Sequence, residues 1–225
     1  MKIGLQFAMP AELHALPGAR EWTPFETVSG VPVFEAAPGI IACAGGVSKV
    51  NAAMAAELLC LRYGVDLILN AGVAGCLTDL PTGSLVVVSD FVQHDVDTTA
   101  VGDPIGLVST VNQVSFPTWK PERCIELLGN LGFSAVTGRA ATGDWFAVKG
   151  DRAAWIRDTF SPLLAEMERF ELSLRFCRTT AFRVRTLQPL GYISLCQLYY
   201  YTSNHKKSQA LCANLSTKSL STIYC

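Results

Sequence analysis

The residues best able to do chemistry stand at the ends of apolar runs. Leu163-Leu164-Ala165 leads into Glu166-Met167-Glu168, two carboxylates around a thioether. Such a stretch reads as a buried strand whose end presents binding groups, because the scaffold holds the residue while the following loop leaves room for a ligand. Glu12 stands in a similar place. Ile3–Met9 is an apolar first strand, and Pro10-Ala11-Glu12 opens a helix, with Pro suited to the first turn and Glu to the positive end of the helix dipole. Taken alone, a glutamate in this place is more often a helix-start carboxylate with no further task. His94, Asp95 and Asp97 could ligate a metal, but three such residues in one loop more often bond to one another. Ala71-Gly72-Val73-Ala74-Gly75 can bring backbone N–H groups close to a ligand or simply pack. It is not G-x-G-x-x-G, and no Lys follows it as in a P-loop.

The elements that must position these groups alternate between strand and helix. Val31–Phe34 and Ile40–Ala44 read as strands, the latter running into Gly45-Gly46. Ser48 caps a helix to Tyr63 with Val47, Val50, Asn51, Met54, Leu58 and Leu61 on one face and Gly64 as its stop. Strands follow at 66–70 and 83–90, a helix at 121–132, a strand at 134–142, a helix at 151–160 and a strand at 163–168. Strands rich in Val, Leu and Ile between helices mean an α/β fold with a largely parallel or mixed sheet.

With 225 residues, half of them apolar and 16% charged, the chain can build a sizeable core. A net charge of −1 calls for neither nucleic acid nor an anionic membrane. No apolar run approaches the ~20 residues of a membrane span, and the N-terminal run is too short and interrupted for a signal peptide. Eight scattered cysteines without a C-x-x-C pair read as buried thiols in a reducing compartment, which makes the cytoplasm the expected location.

The text changes after Glu168. Residues 169–225 hold one acid, Glu171, against eight bases. From Tyr199 onward the chain is Tyr-, Ser-, Thr- and Leu-rich without periodicity. Two parts are therefore expected: an α/β domain over 1–168, and an atypical basic tail over 169–225 that forms an incomplete end of the same domain.

Seven short motifs now fall in order. Ala8-Met9-x-x-Glu12 is followed by Gly46-Val47-Ser48-Lys49-Val50-Asn51-Ala52-Ala53, Asn70-Ala71-Gly72-Val73-Ala74-Gly75 and Gly83–Asp90. His94-Asp95-Val96-Asp97, Thr142-Gly143-Asp144-Trp145-Phe146 and Ala165-Glu166-Met167-Glu168 complete the set. Together they resemble the 5′-methylthioadenosine/S-adenosylhomocysteine nucleosidases, including futalosine hydrolase-like members, within the purine nucleoside phosphorylase superfamily. The resemblance implies a three-layer α/β/α fold around a twisted mixed sheet and a homodimer. It also implies hydrolysis of the N-glycosidic bond of a 5′-substituted adenine nucleoside, with water as co-substrate and no cofactor or metal. By motif match Glu12 is the catalytic carboxylate that activates water. The substrate-binding residues implied are Met9, Val47, Ala74, Gly75, Phe146, Ala147, Glu166, Met167 and Glu168. Glu168 would accept the two ribose hydroxyls, Met167 would pack on the sugar, and Phe146 would stack on adenine while the backbone of Ala147 reads its edge. Val47, with Val101 of a neighbouring subunit, would line the 5′ pocket.

Two features bear on the reaction type. No Arg lies within residues 70–75 or before Glu12, and a carboxylate at the water position repels phosphate, so hydrolysis is favoured over phosphorolysis. The family also carries an Asp, beyond the Met-Glu strand, that protonates the departing purine at N7. This chain has no Asp after Asp158. Gln188-Pro189-Leu190-Gly191-Tyr192 stands at about that distance and supplies no acid. A tail read in a shifted frame would account for both the composition change and the missing Asp. The expectation is then a fold lacking its last strands and helix, low solubility and weak activity. The alternatives left open are a phosphorylase and a nucleoside-binding homologue without catalysis.

Overall fold

A computed structural model describes residues 1–145 and 150–166, together with the main chain of 193–198. Eleven strands build one mixed sheet in the order β2-β3-β4-β1-β5-β11-β7-β9-β10-β6, with β8 paired on β7. The strands are β1 (Ile3–Phe7), β2 (Glu26–Val28), β3 (Val31–Ala37), β4 (Ile40–Ala44), β5 (Leu67–Gly72) and β6 (Gly75–Cys76). They continue as β7 (Leu85–Gln93), β8 (Ser115–Pro117), β9 (Ala135–Thr142), β10 (Leu164–Glu166) and β11 (Ile193–Leu198). The helices are α1 (Pro10–Leu13), α2 (Lys49–Tyr63), α3 (Pro121–Asn130) and α4 (Asp151–Phe160). Strands β4, β1 and β5 pair in parallel, as do β7, β9 and β10. Antiparallel pairs β2–β3, β3–β4, β7–β8 and β10–β6 make the sheet mixed.

Alternation within single strands produces the three layers. Leu67 and Leu69 of β5 pack with Cys124 and Leu128 of α3, while Ile68 between them packs with Ala52, Ala55, Ala56 and Leu59 of α2. Successive strand side chains point to opposite faces, so an unbroken apolar run is what a sheet covered on both sides requires. Val86, Val87 and Val88 are all fully buried for the same reason. Helix α4 seals a further cluster through Ile156 and Phe160 against Val92, Ala141 and Ala165.

Helix α2 buries a different face from the one its large apolar residues suggested. Ala52, Ala55, Ala56, Leu59 and Cys60 face the sheet, whereas Val50 is 74% exposed and Leu61 58% exposed. The reason is close approach: a Cβ on Gly45 would be driven into Ala55, and one on Gly4 would crowd Leu59. Only small residues let the helix axis come this near. Gly45→Ala is therefore expected to lower stability by about 1–3 kcal/mol, read as a drop in the urea midpoint at unchanged slope.

Ser48 caps α2 through a long hydrogen bond from Asn51 N (3.4 Å) and holds φ at +101°. That conformation suits Gly and strains Ser by about 1–3 kcal/mol, while exchanging a Ser cap for Gly costs a few tenths. Ser48→Gly is expected to raise the thermal midpoint; a fall would show that the serine hydroxyl does more than cap.

The tail contributes one strand, against the expectation that the last strands are lost. β11 lies between β5, to which it is parallel, and β7, to which it is antiparallel. Ladder pairing uses main-chain groups, which Ile-Ser-Leu-Cys-Gln-Leu supplies without a Pro to interrupt it. It joins β5 to the β7 side of the sheet, where two unpaired edges would otherwise face each other.

Cys43, Cys76 and Cys124 are free thiols, and burial pushes those of Cys43 and Cys124 up to about 12. Among the described residues no helix is long and apolar enough to cross a membrane.

Candidate active site

The ends of β1, β4 and β5 meet around Glu12. Main-chain bonds from Gly45 N to Phe7 O and from Gly46 N to Ala8 O lace the strand ends together. Helix α1 is one turn long, with Pro10 at its first position, and its shortness sets Glu12 three residues beyond Met9 and directly over the strand end. The carboxylate is held by three main-chain donors. Oε2 accepts from Ala8 N (3.2 Å) and Met9 N (3.0 Å), and Oε1 accepts from Val73 N (2.9 Å). The last bond spans 61 residues and ties the first helix to the small-residue turn after β5.

This is more than a helix-start carboxylate. Burial raises the Glu12 carboxyl above its ordinary range, and the bonds from Val73, Met9 and Ala8 only partly offset that rise. A half-buried glutamate with a raised pKa, fixed in place yet ionisable, suits a general base.

The small-residue turn itself serves both readings. Gly75-Cys76 leaves it as β6 and pairs with Leu164 and Ala165 of β10, so the turn bridges the Glu12 end and the Glu166 end of the site. Gly75 is exposed and Ala74 half-buried, as is Met9. Glu166 is 7% exposed, and its main-chain oxygen accepts from Gly143 N. Val47 is 38% exposed, at the turn before α2. Val101 is 80% exposed, in the 3₁₀ turn Thr99–Val101. Phe146, Ala147, Met167 and Glu168 lie outside the described residues, as does Gln188–Tyr192.

The His94–Asp97 stretch breaks into separate roles. Asp97 accepts from Thr99, capping its own turn. His94 is 1% exposed under Gly143 and Trp145, with its ring 5.4 Å from that of Trp145. Burial lowers the His94 pKa and keeps the ring neutral. Asp95 turns instead to Lys49, whose Nζ lies 2.7 Å from Oδ1 and also donates to Gln93 Oε1 (3.0 Å). Asp95 Oδ2 accepts from Asp144 N (2.8 Å), and Asp144 Oδ1 in turn accepts from Lys49 N at the start of α2 (2.8 Å). Burial works against the Asp95 charge, but these bonds outweigh it and hold the carboxyl below its usual range. Among the described residues no group of three His, Cys, Asp or Glu side chains could hold a metal.

Lys49 and Asp144 were visible in the sequence as motif members without assigned tasks. Lys49 meets Asp95 across 46 residues and Asp144 across 95, and no local spacing announces either contact.

Comparison with known proteins places this geometry. The Phosphorylase superfamily model matches residues 2–170, ending two residues past the composition boundary. The chain is 34% identical over 181 residues to the 5′-methylthioadenosine/S-adenosylhomocysteine nucleosidase of Bacillus thuringiensis, covering 75% of this chain and 76% of that protein. Among solved structures, S-adenosylhomocysteine nucleosidase of Streptococcus pyogenes, in complex with 5-methylthiotubericidin, is 28% identical. Its TM-score is 0.64, over 74% of this chain and 73% of that one. The native futalosine hydrolase of Helicobacter pylori is 25% identical with a TM-score of 0.70, over 77% of each chain. A glutamate clamped at the end of the first strand, a three-layer mixed sheet and matches of this extent lead to one conclusion: the chain belongs to the 5′-methylthioadenosine/S-adenosylhomocysteine nucleosidase family of the Phosphorylase superfamily.

Proposed function

We propose that the protein acts on the N-glycosidic bond of 5′-substituted adenine nucleosides, with water as the attacking group and adenine as the leaving base. The clamped, half-buried Glu12 carboxylate carries the reading. Bond cleavage develops positive charge on the sugar and negative charge on the purine, as in glycoside hydrolysis. Glu12 in its ionised form takes a proton from water at the anomeric carbon and stabilises the cationic sugar. Glu168 accepts the 2′ and 3′ hydroxyls, Met167 and Met9 pack beside the ribose, and Glu166 supports the strand end beneath them. Phe146 stacks on adenine, the backbone of Ala147 reads its edge, and Ala74-Gly75 lets the backbone approach purine and sugar. Val47 lines the 5′ pocket, completed by Val101 of a second copy.

A homodimer follows from the same reading. Val50, Leu61 and Val101 are large, apolar and exposed, and covering such residues is what a second copy of the chain would do. Sedimentation at micromolar concentration tests it; a monomer throughout would remove Val101 from the site.

The purine also needs a proton at N7, and no Asp follows Asp158 to give it. The chain is accordingly a slow hydrolase or a binder of adenine nucleosides. Product analysis with methylthioadenosine, S-adenosylhomocysteine, 5′-deoxyadenosine and aminodeoxyfutalosine decides. Adenine without phosphate dependence supports hydrolysis, ribose 1-phosphate formation would make the protein a phosphorylase, and tight binding without adenine release marks a binder.

A further inference from the structure

We propose that Gln6 and Asn70 close on one buried water and act together as positioning residues for Glu12, fixing the distance between the ends of β1 and β5. The consequence for turnover rests on the reading of Glu12 as the base; the positioning itself does not.

The two side chains are neighbours both by register and by face. Gln6 pairs with Asn70 in the parallel β1–β5 ladder. Gln6 Nε2 donates to Ala52 O of α2 (2.9 Å), and Ile68, two residues before Asn70, packs with Ala52, Ala55 and Ala56. Side chains two apart on a strand share a face, so both amides lie between the sheet and α2. Their surroundings there are apolar: Cys43 of β4 beside Gln6, Ile68 before Asn70, and the alanines of α2. Gln6 is 2% exposed and Asn70 9%. One acceptor, Gln6 Oε1, and one donor, Asn70 Nδ2, have no hydrogen-bond partner among the described residues. Such atoms destabilise a core when left alone, and an apolar side chain at either position would bury without that cost. Their needs are complementary. One water between them accepts from Asn70 Nδ2 and donates to Gln6 Oε1, which satisfies both.

The place of the pair supplies its purpose. Gln6 stands just before Ala8 and Met9, whose N–H groups hold Glu12 Oε2, and Asn70 just before Val73, whose N–H holds Oε1. On its other side β1 stays tied to the chain after β4, through Gly45 N to Phe7 O and Gly46 N to Ala8 O. Toward β5 the ladder ends with Gln6 and Asn70, and beyond it each strand carries its own donors to the carboxylate. A tie between the side chains of that last pair therefore sets how far apart the two groups of donors stand. A displacement of about 1 Å in a positioning group is enough to cost ~10²-fold in a site reaction.

The test is a double-mutant cycle read by hydrogen exchange of the full chain, resolved by mass spectrometry at single amides. Asn70→Leu and Gln6→Met keep the approximate size of each side chain and remove its polar end. Each is expected to speed exchange of the Ala8, Met9 and Val73 N–H groups by ~10-fold or more and to leave Cys124–Leu128 of α3 unchanged, whereas general destabilisation would speed all alike. The double variant is expected to be no more than about twofold faster than the faster single variant, because both act through one contact. Effects that multiply in the double variant would overturn the inference, as would unchanged exchange at the three donors in either single variant. The water is read by nuclear magnetic resonance, as cross-relaxation between the Asn70 side-chain amide protons and a long-resident water, assigned by its loss in Asn70→Leu. No such signal in the unmodified chain would overturn the water site. Single-turnover adenine release from methylthioadenosine is expected to fall in Asn70→Leu by up to ~10²-fold. Affinity for 5′-methylthiotubercidin, the 7-deaza analogue with C–H in place of N7, should stay within about twofold, since the loss falls on the chemical step. Adenine release that survives Glu12→Gln would instead refute Glu12 as the base, and the exchange cycle would still decide the positioning. Should either variant fail to fold, Asn70→Val or Gln6→Ile, both β-branched and suited to a strand, takes its place under the same criteria.

Discussion

Glu12→Gln is expected to bring adenine release down to background under single-turnover conditions with methylthioadenosine, while the 7-deaza analogue still binds. The amide keeps the size of the side chain and loses the base, so the loss falls on the chemical step, by about 10²–10⁴-fold for a general base. The same residue sets the pH profile. Burial raises the Glu12 carboxyl, and a raised pKa means that protonation, hence loss of the base form, sets in at higher pH than for an ordinary glutamate. The acid limb of the rate profile should therefore lie above the usual carboxylate range and vanish in Glu12→Gln. A limb within the ordinary range would show that Glu12 is not the titrating base. Some stability should be lost as well, because Oε1 and Oε2 hold the N–H groups of Ala8, Met9 and Val73. The amide cannot accept all three: with its oxygen on Ala8 N and Met9 N, the N–H of the exposed Val73 loses its acceptor, and water can take its place, so the cost stays at about 1 kcal/mol or less.

Replacement of residues 169–225 by the corresponding segment of a family member, with its Ser-Asp motif, is expected to raise turnover by about 10²–10⁴-fold. The shift comes from leaving-group protonation: a purine that departs as a neutral base is a far better leaving group than its anion. The boundary is marked twice, by the change from acidic to basic text after Glu168 and by the end of the family match at residue 170. Reading the coding DNA in the other frames downstream of Glu168 gives an independent check. A frame that restores a Ser-Asp motif and an amphipathic helix supports the out-of-frame reading; if none does, that reading is wrong and the tail is native. An unmodified chain that turns over as fast as the chimera would show that the acid is supplied from elsewhere.

The order of elements was legible because it rests on local patterns. The Leu-Ile-Leu run of β5 and the Val-Val-Val run of β7 signal strands buried on both faces, and the apolar rhythm between Ser48 and Gly64 signals a helix. The short strands β2, β6 and β8 carry too few residues to show a period, and β6 exists only because β10 lies beside it. Helix α2 shows why a correct helix can still be faced wrongly. Val50 and Leu61 carry more apolar surface than Ala52 and Ala55, yet the sheet takes the face with the alanines: Gly45 lies directly against Ala55, and Gly4 leaves room for Leu59 on the same face.

By itself the sequence determined that the chain is a layered α/β protein, that Glu12 follows the first strand, and that the motifs of a nucleosidase stand in order up to Glu168. These are properties of neighbouring residues and their spacing. Only the tertiary structure decided what Glu12 is bound to, that His94, Asp95 and Asp97 part into separate roles, and that Asp95 joins Lys49 to Asp144. The physical reason is distance along the chain. The bonds from Val73 to Glu12, Lys49 to Asp95 and Asp144 to Asp95 span 61, 46 and 49 residues. Such pairs leave no period in the text and come into being only when the strand ends that carry them are brought together.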